Sequence, residues 1–143
     1  MNTQVRNCGS AETMPGSPCF CYVSTLEGPE ARVILENWKR EHSRCAVFAL
    51  VPEGEISRLP ALQTACREVG VKLLGGVFPR VIHNGYFSSN GVWLFRLDEE
   101  PPWGLIEKID PLAPNAAEQL VVAVEPVLST TGPNPTLFLM FDA

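Results

Sequence analysis

The sequence predicts an α/β fold: a mixed sheet with a parallel β-α-β-α-β core followed by an antiparallel hairpin or meander, its helices packed on the sheet. Three observations predict it. Residues 45–51 (CAVFALV) form an unbroken apolar run, as in a strand buried on both faces, and residues 71–78 (VKLLGGVF) form a second. Each run is preceded by a stretch with helical periodicity. Beyond Pro79 the punctuation changes to short apolar pairs separated by Asn84-Gly85 and Asn90-Gly91, which reads as hairpins rather than crossovers.

Residues 1–18 are rich in Ser, Thr, Asn, Gly and Pro, show no period, and read as a disordered tail; residues 19–143 read as one domain. A first strand is expected over 20–26 (FCYVSTL), broken at Glu27-Gly28. Pro29 suits the first turn of a helix, where its missing N–H costs nothing. That helix, 29–42, carries Ala31, Ile34, Leu35 and Trp38 on one stripe and Lys39, Arg40 and His42 in its last turn. After the 45–51 strand, residues 52–55 turn. A second helix follows over 57–69, with Leu59, Leu62, Cys66 and Val69 as its stripe and Gly70 as its stop. The 71–78 strand completes two parallel crossovers.

The hairpin expectation places Val81-Ile82 against Tyr86-Phe87. Further strands are expected over 92–97 and 104–109, joined by an acidic, proline-rich loop. A third helix begins after Asn115, with Glu118 completing a capping box and Ala117, Leu120, Val121, Val124 and Leu128 as its buried face. Pro126 should end or kink it. A last apolar strand is expected over 136–141 (TLFLMF).

Charge and composition exclude several classes. The chain of 143 residues is 45% hydrophobic and 19% charged, with a net charge of −5, which argues against a nucleic-acid partner. No apolar run reaches membrane-spanning length and the N-terminus has no apolar signal region, so a cytoplasmic protein with no membrane partner is the default. Five cysteines, an odd number, fit reduced thiols better than a disulfide framework. No phosphate loop, dinucleotide fingerprint, nucleophile elbow or zinc-protease motif occurs, and two histidines cannot make a His-rich metal site. No catalytic constellation and no metal site is expected.

The candidate site lies where the 71–78 strand ends. Gly75 and Gly76 have no Cβ and could clear space for a ligand, or could serve a bulge. Phe78 could wall a pocket or turn into the core. Arg80 offers a planar fork of donors that suits a carboxylate, or could merely be solvated or neutralise a neighbouring acid. Asn84 and Tyr86 would supply a polar rim. An amino acid or small organic acid is the ligand class these residues suggest.

The segments GGVFPRVIHNG and SSNGVWLFRL resemble the amino-terminal FIST domain, in which a Gly-Gly-x-Phe-Pro turn leads into a short hairpin and then a strand. The likeness covers residues 44–97. It departs where Phe95-Arg96-Leu97 stand in place of the family's Leu-Pro pair. The resemblance implies a non-catalytic sensory domain of a signal-transduction protein that binds a small molecule. It also implies a carboxy-terminal FIST domain or signalling partner, with this chain as the front part of a longer protein. No cofactor is expected, although some FIST proteins bind haem and His83 is the histidine nearest the motif. The alternatives are a haem-binding gas sensor and a small α/β enzyme whose site assembles only in space.

Overall fold

A computed structural model describes residues 17–104, 113–131 and 140. The chain divides into two compact units, Met1–Glu100 and Pro101–Ala143.

In the first unit the strands are β1 (Phe20–Val23), β2 (Ala46–Pro52), β3 (Lys72–Phe78), β4 (Val81–His83), β5 (Tyr86–Ser88) and β6 (Val92–Leu97). The helices are α1 (Glu30–Glu41) and α2 (Leu59–Val69). The fold class is as the sequence predicts: a mixed four-stranded sheet and a separate two-stranded antiparallel ribbon of β4 and β5. β2 and β3 are adjacent and parallel over seven paired positions, from Ala46 opposite Lys72 to Pro52 opposite Phe78. The sheet order is β1-β6-β2-β3. The three strands of the predicted crossover core are therefore not consecutive neighbours. β6 lies between β1 and β2, antiparallel to both, instead of extending a meander from β5. Its composition explains the placement. Val92 and Leu94 are fully buried on one face, and Trp93 and Phe95 are apolar on the other, which suits a central strand.

The helices form where the stripes fall. Ala31, Ile34, Leu35 and Trp38 are all buried, and Leu62 and Cys66 of α2 join them over Cys21, Val23, Val47, Ala49, Val51, Val92 and Leu94. Both helices thus cover one sheet face. Pro29 is the N-cap of α1, and Gly70 ends α2 in a left-handed conformation with φ 73°. The turn expected over 52–55 is longer: Glu53–Arg58 forms a 3₁₀ segment that leads straight into α2. Trp38 Nε1 donates to the Pro18 carbonyl at 3.0 Å, tying the approach to β1 onto α1. Arg96 reinforces that end, donating to Glu41 at 3.2 Å and to Asp98 at 2.8 Å. Two hydrogen bonds from Ser17, followed by the Arg96 charge, hold the Glu41 carboxyl below its usual range.

The opposite sheet face is aromatic. Tyr22 pairs with Trp93 and Phe20 with Phe95 across β1 and β6. Their ring centroids lie 5.4 and 6.3 Å apart. Such pairs contribute about 0.5–1.5 kcal/mol each beyond simple burial.

In the second unit α3 spans Ala116–Leu128. The capping box does not form. Asn115 makes no side-chain bond to the helix N-terminus, and its Oδ1 instead accepts from Gln119 Nε2 at 2.8 Å. Of the expected buried face, Val124 is buried and Leu120 half-buried, whereas Ala117, Val121 and Leu128 are exposed. Pro126 lies inside the helix, which ends two residues later. The expected tail, most of the 104–109 strand and the 136–141 strand apart from Met140 lie outside the described residues.

Burial makes the core thiols inert. Desolvation pushes Cys66 from its ordinary value of 9.0 up to about 11, and it also raises Cys45. A raised thiol pKa means that its stabilising effect is complete below about pH 9 and is lost as pH rises toward 11. Labelling with a thiol reagent at pH 8 should modify the exposed Cys19 at once, and Cys21, Cys45 and Cys66 only at the rate of unfolding. A second expectation concerns Gly75. Its φ is +134°, and a Cβ there would overlap the backbone of Ala49. Gly75→Ala should therefore cost roughly 2–3 kcal/mol, read as a lower denaturation midpoint with an unchanged slope.

Candidate functional site

The chain leaves β3 at the sheet edge and must reach the gap between β1 and β2 before β6 can pair. Residues 79–91 make that traverse, and they fold into the β4–β5 ribbon on the way. The ribbon closes through Asn84, with φ 51°, and Gly85, with φ 81°, as an Asn-Gly turn demands. The pairs are Val81 with Ser88, Ile82 with Phe87 and His83 with Tyr86.

A two-stranded ribbon is marginal by itself, and this one is pinned on its inner side. Val81 is buried. The His83 ring lies on Tyr22 at 3.6 Å between centroids and 9° between planes. Trp93 Nε1 donates to the Ile82 carbonyl at 2.8 Å. The Tyr22 hydroxyl donates to the Asn90 carbonyl at 2.6 Å, just past the ribbon. Gly91, with φ +74°, lets the backbone pass so close to Tyr22 that a Cβ would overlap the phenol.

A buried carboxylate fixes the far end. Glu55, 1% exposed, accepts from the Gly91 N–H at 3.1 Å and from Arg58 Nη1 at 3.3 Å. Arg58 also reaches Glu27 at 2.7 Å. Glu55 Oε2 is buried and has no partner among the described residues. Next to it, Gly54 approaches the Ser89 backbone too closely for a side chain to fit. The 3₁₀ segment is thereby latched to the β5–β6 connection.

The residues expected to form one pocket mouth are spread over β3, the bend after it and the β4–β5 ribbon. Gly75 and Gly76 are successive strand residues and address opposite sides of the sheet. The space that Gly75 clears is taken by the backbone of β2. Phe78, half-buried, ends β3 beside Pro52. Tyr86 is 79% exposed, but it stands across from His83 on the inner side of the ribbon. Asn84 sits at the turn, with Nδ2 3.0 Å from His83 Nε2. His83 is not the solvated turn residue that its neighbours suggest, because the Tyr22 stack turns it inward. With Nε2 facing the Asn84 amide and Nδ1 buried, holding a haem iron through this ring would require leaving one of those contacts.

Arg80 is exposed and makes no ion pair among the described residues. It lies between the Pro79 bend and β4, two residues before Ile82, whose cross-strand partner is Phe87. Ile82 is 59% and Phe87 72% exposed. The ribbon thus carries an exposed apolar pair, and an exposed guanidinium precedes it in the chain. Ile82 and Phe87 are absent from the expected site, although counting alternate residues outward from Asn84-Gly85 would have found them.

A separate open cleft of about 480 Å³ lies between the amino-terminal end of α1 and the length of α2, lined by Leu26, Glu27, Pro29, Arg32, Pro60 and Glu68 among others. Its charges are already matched. Arg32 pairs with Glu68 at 2.7 Å and with Glu36 at 3.0 Å, and Glu27 pairs with Arg58. No group of three or more potential metal ligands occurs among the described residues, and none of their helices is long and apolar enough to cross a membrane.

Comparison with family models, curated proteins and solved structures finds no match. The likeness to FIST domains rests on the Gly75–Gly85 and Ser88–Leu97 segments alone.

The latch has a measurable consequence. Glu55→Ala leaves the Gly91 N–H and Arg58 without their buried acceptor and should cost about 2–4 kcal/mol. Hydrogen exchange should quicken first at residues 81–91, ahead of the α1 and α2 amides. Uniform acceleration across the unit would show that the carboxylate does not act locally on the ribbon.

Proposed function

We propose that the chain is a small-ligand-binding sensory domain of a signal-transduction protein, with the β4–β5 ribbon as its recognition element and a ligand carboxylate held by Arg80. The observation that carries this reading is the exposed Arg80 guanidinium, with no ion pair among the described residues, just before a ribbon whose inner side is fixed by Val81, His83 and Trp93. Arg presents two parallel donors to a carboxylate. The absence of a nucleophile motif or phosphate loop in the sequence supports a binding role over a catalytic one. The resemblance to sensory FIST domains points the same way.

A thermal-shift panel of amino acids and organic acids tests the proposal, since a ligand that binds only the folded state raises the melting temperature. For a hit, calorimetry should show Arg80→Ala weakening binding by about one to two decades, the loss of a charge-assisted pair worth roughly 1.5–3 kcal/mol. Unchanged affinity in a normally folded Arg80→Ala protein would remove Arg80 from the site and the proposal with it.

A further inference from the structure

Resting on that reading, we infer that the ligand is a monocarboxylate bearing an apolar group, aromatic or branched, and not a dicarboxylate. Arg80 is two residues from Ile82, and Ile82 and Phe87 form an exposed cross-strand pair, so a carboxylate on the guanidinium can bring the rest of its molecule over that pair. Covering that pair removes apolar surface from water, which is favourable for an apolar group. A planar ring also stacks on Phe87.

A second carboxylate finds no further unpaired cation there among the described residues. From Val71 to Leu97 the other basic side chains are Lys72, Arg96 and His83, and Arg58, joined to Gly91 through Glu55, is paired with Glu27 and Glu55. Lys72 stands at the opposite end of β3, 3.7 Å from Glu100. Arg96 is 10% exposed and paired with Glu41 and Asp98. His83 is stacked under the ribbon. Glu53, exposed and immediately after the Pro52–Phe78 pair, adds negative charge at this end of the sheet. A dicarboxylate would either lay its second charge on Ile82 and Phe87, giving up water for no partner, or project it into solvent and leave the apolar pair uncovered.

Backbone NMR titration of the full 143-residue chain with phenylacetate, 4-methylpentanoate and succinate tests this. Both monocarboxylates should shift the amides of residues 80–88, with succinate much weaker. Phe87→Ser should weaken phenylacetate about tenfold, and Arg80→Gln should abolish the shifts. Phe87 and Arg80 are exposed, and near-ultraviolet circular dichroism confirms that each variant folds. Succinate binding as tightly as phenylacetate, or Phe87→Ser binding phenylacetate unchanged, overturns the ligand class while leaving Arg80 as the anchor. Silence with all three acids overturns the inference and returns Arg80 to the wider panel. Shifts that persist in Arg80→Gln overturn the anchor, and with it the proposed function.

Discussion

The strand that closes the sheet is the last of the first unit to be made. β2 and β6 are apolar on both faces, so each needs a neighbour on both edges and cover on both sides to satisfy its backbone groups and its side chains together. β6 answers both needs by lying between β1 and β2. Until it does, β1 has no hydrogen-bonded strand partner among the described residues, and β2 is paired on one edge only. The arrangement makes sheet formation depend on contacts between residues 20–23 and 92–95, far apart in the chain, and such non-local pairing slows folding.

The position of the ribbon follows from the same constraint. A chain leaving β3 at one edge and entering the sheet again on the far side of β2 has to cross that end of the sheet. The β4–β5 excursion is the crossing, and β4 packs against β2 on the way. Its inner and outer sides then acquire different fates. The inner side is held by the Tyr22 and Trp93 rings and by buried Val81. The outer side keeps Ile82 and Phe87 exposed, and Arg80 is exposed just before it. One hairpin is thus fixed on one side and accessible on the other.

Much of the first unit was legible in the sequence because its signals are local. The stripes of α1 and α2, the Gly70 stop, the apolar runs of β2 and β3 and the Asn-Gly turn each depend on a few adjacent residues. The place of β6 was not read, although VWLFRL is apolar on both faces and could have argued for a central strand. Strand neighbours are chosen by packing across the whole sheet, and no short window contains that choice. Glu55 was invisible for a similar reason: in sequence it is one acid in a Pro-Glu-Gly-Glu turn, and only its approach to Gly91 makes it a latch. The Gly75-Gly76 pair carried a physical ambiguity, because a missing Cβ serves a close backbone as well as a ligand, and at Gly75 β2 occupies the space. Arg80 was singled out because a cation after a strand-ending proline is conspicuous. Ile82 and Phe87 were not, because they look like core residues until the register and their exposure are known.

The bond from Trp93 to the Ile82 carbonyl gives the molecule an optical property. Indole emission responds to the polarity and hydrogen bonding around its nitrogen, and this nitrogen is tied to the backbone of the ribbon. Trp38, by contrast, is sealed in the core and bonded to Pro18. These two of the chain's three tryptophans thus watch different parts of the first unit, one the crossing hairpin and the other the packing of α1 on the sheet. Lifting the ribbon would alter the light from Trp93 while Trp38 stays dark to the event, so the protein carries its own internal gauge of that movement.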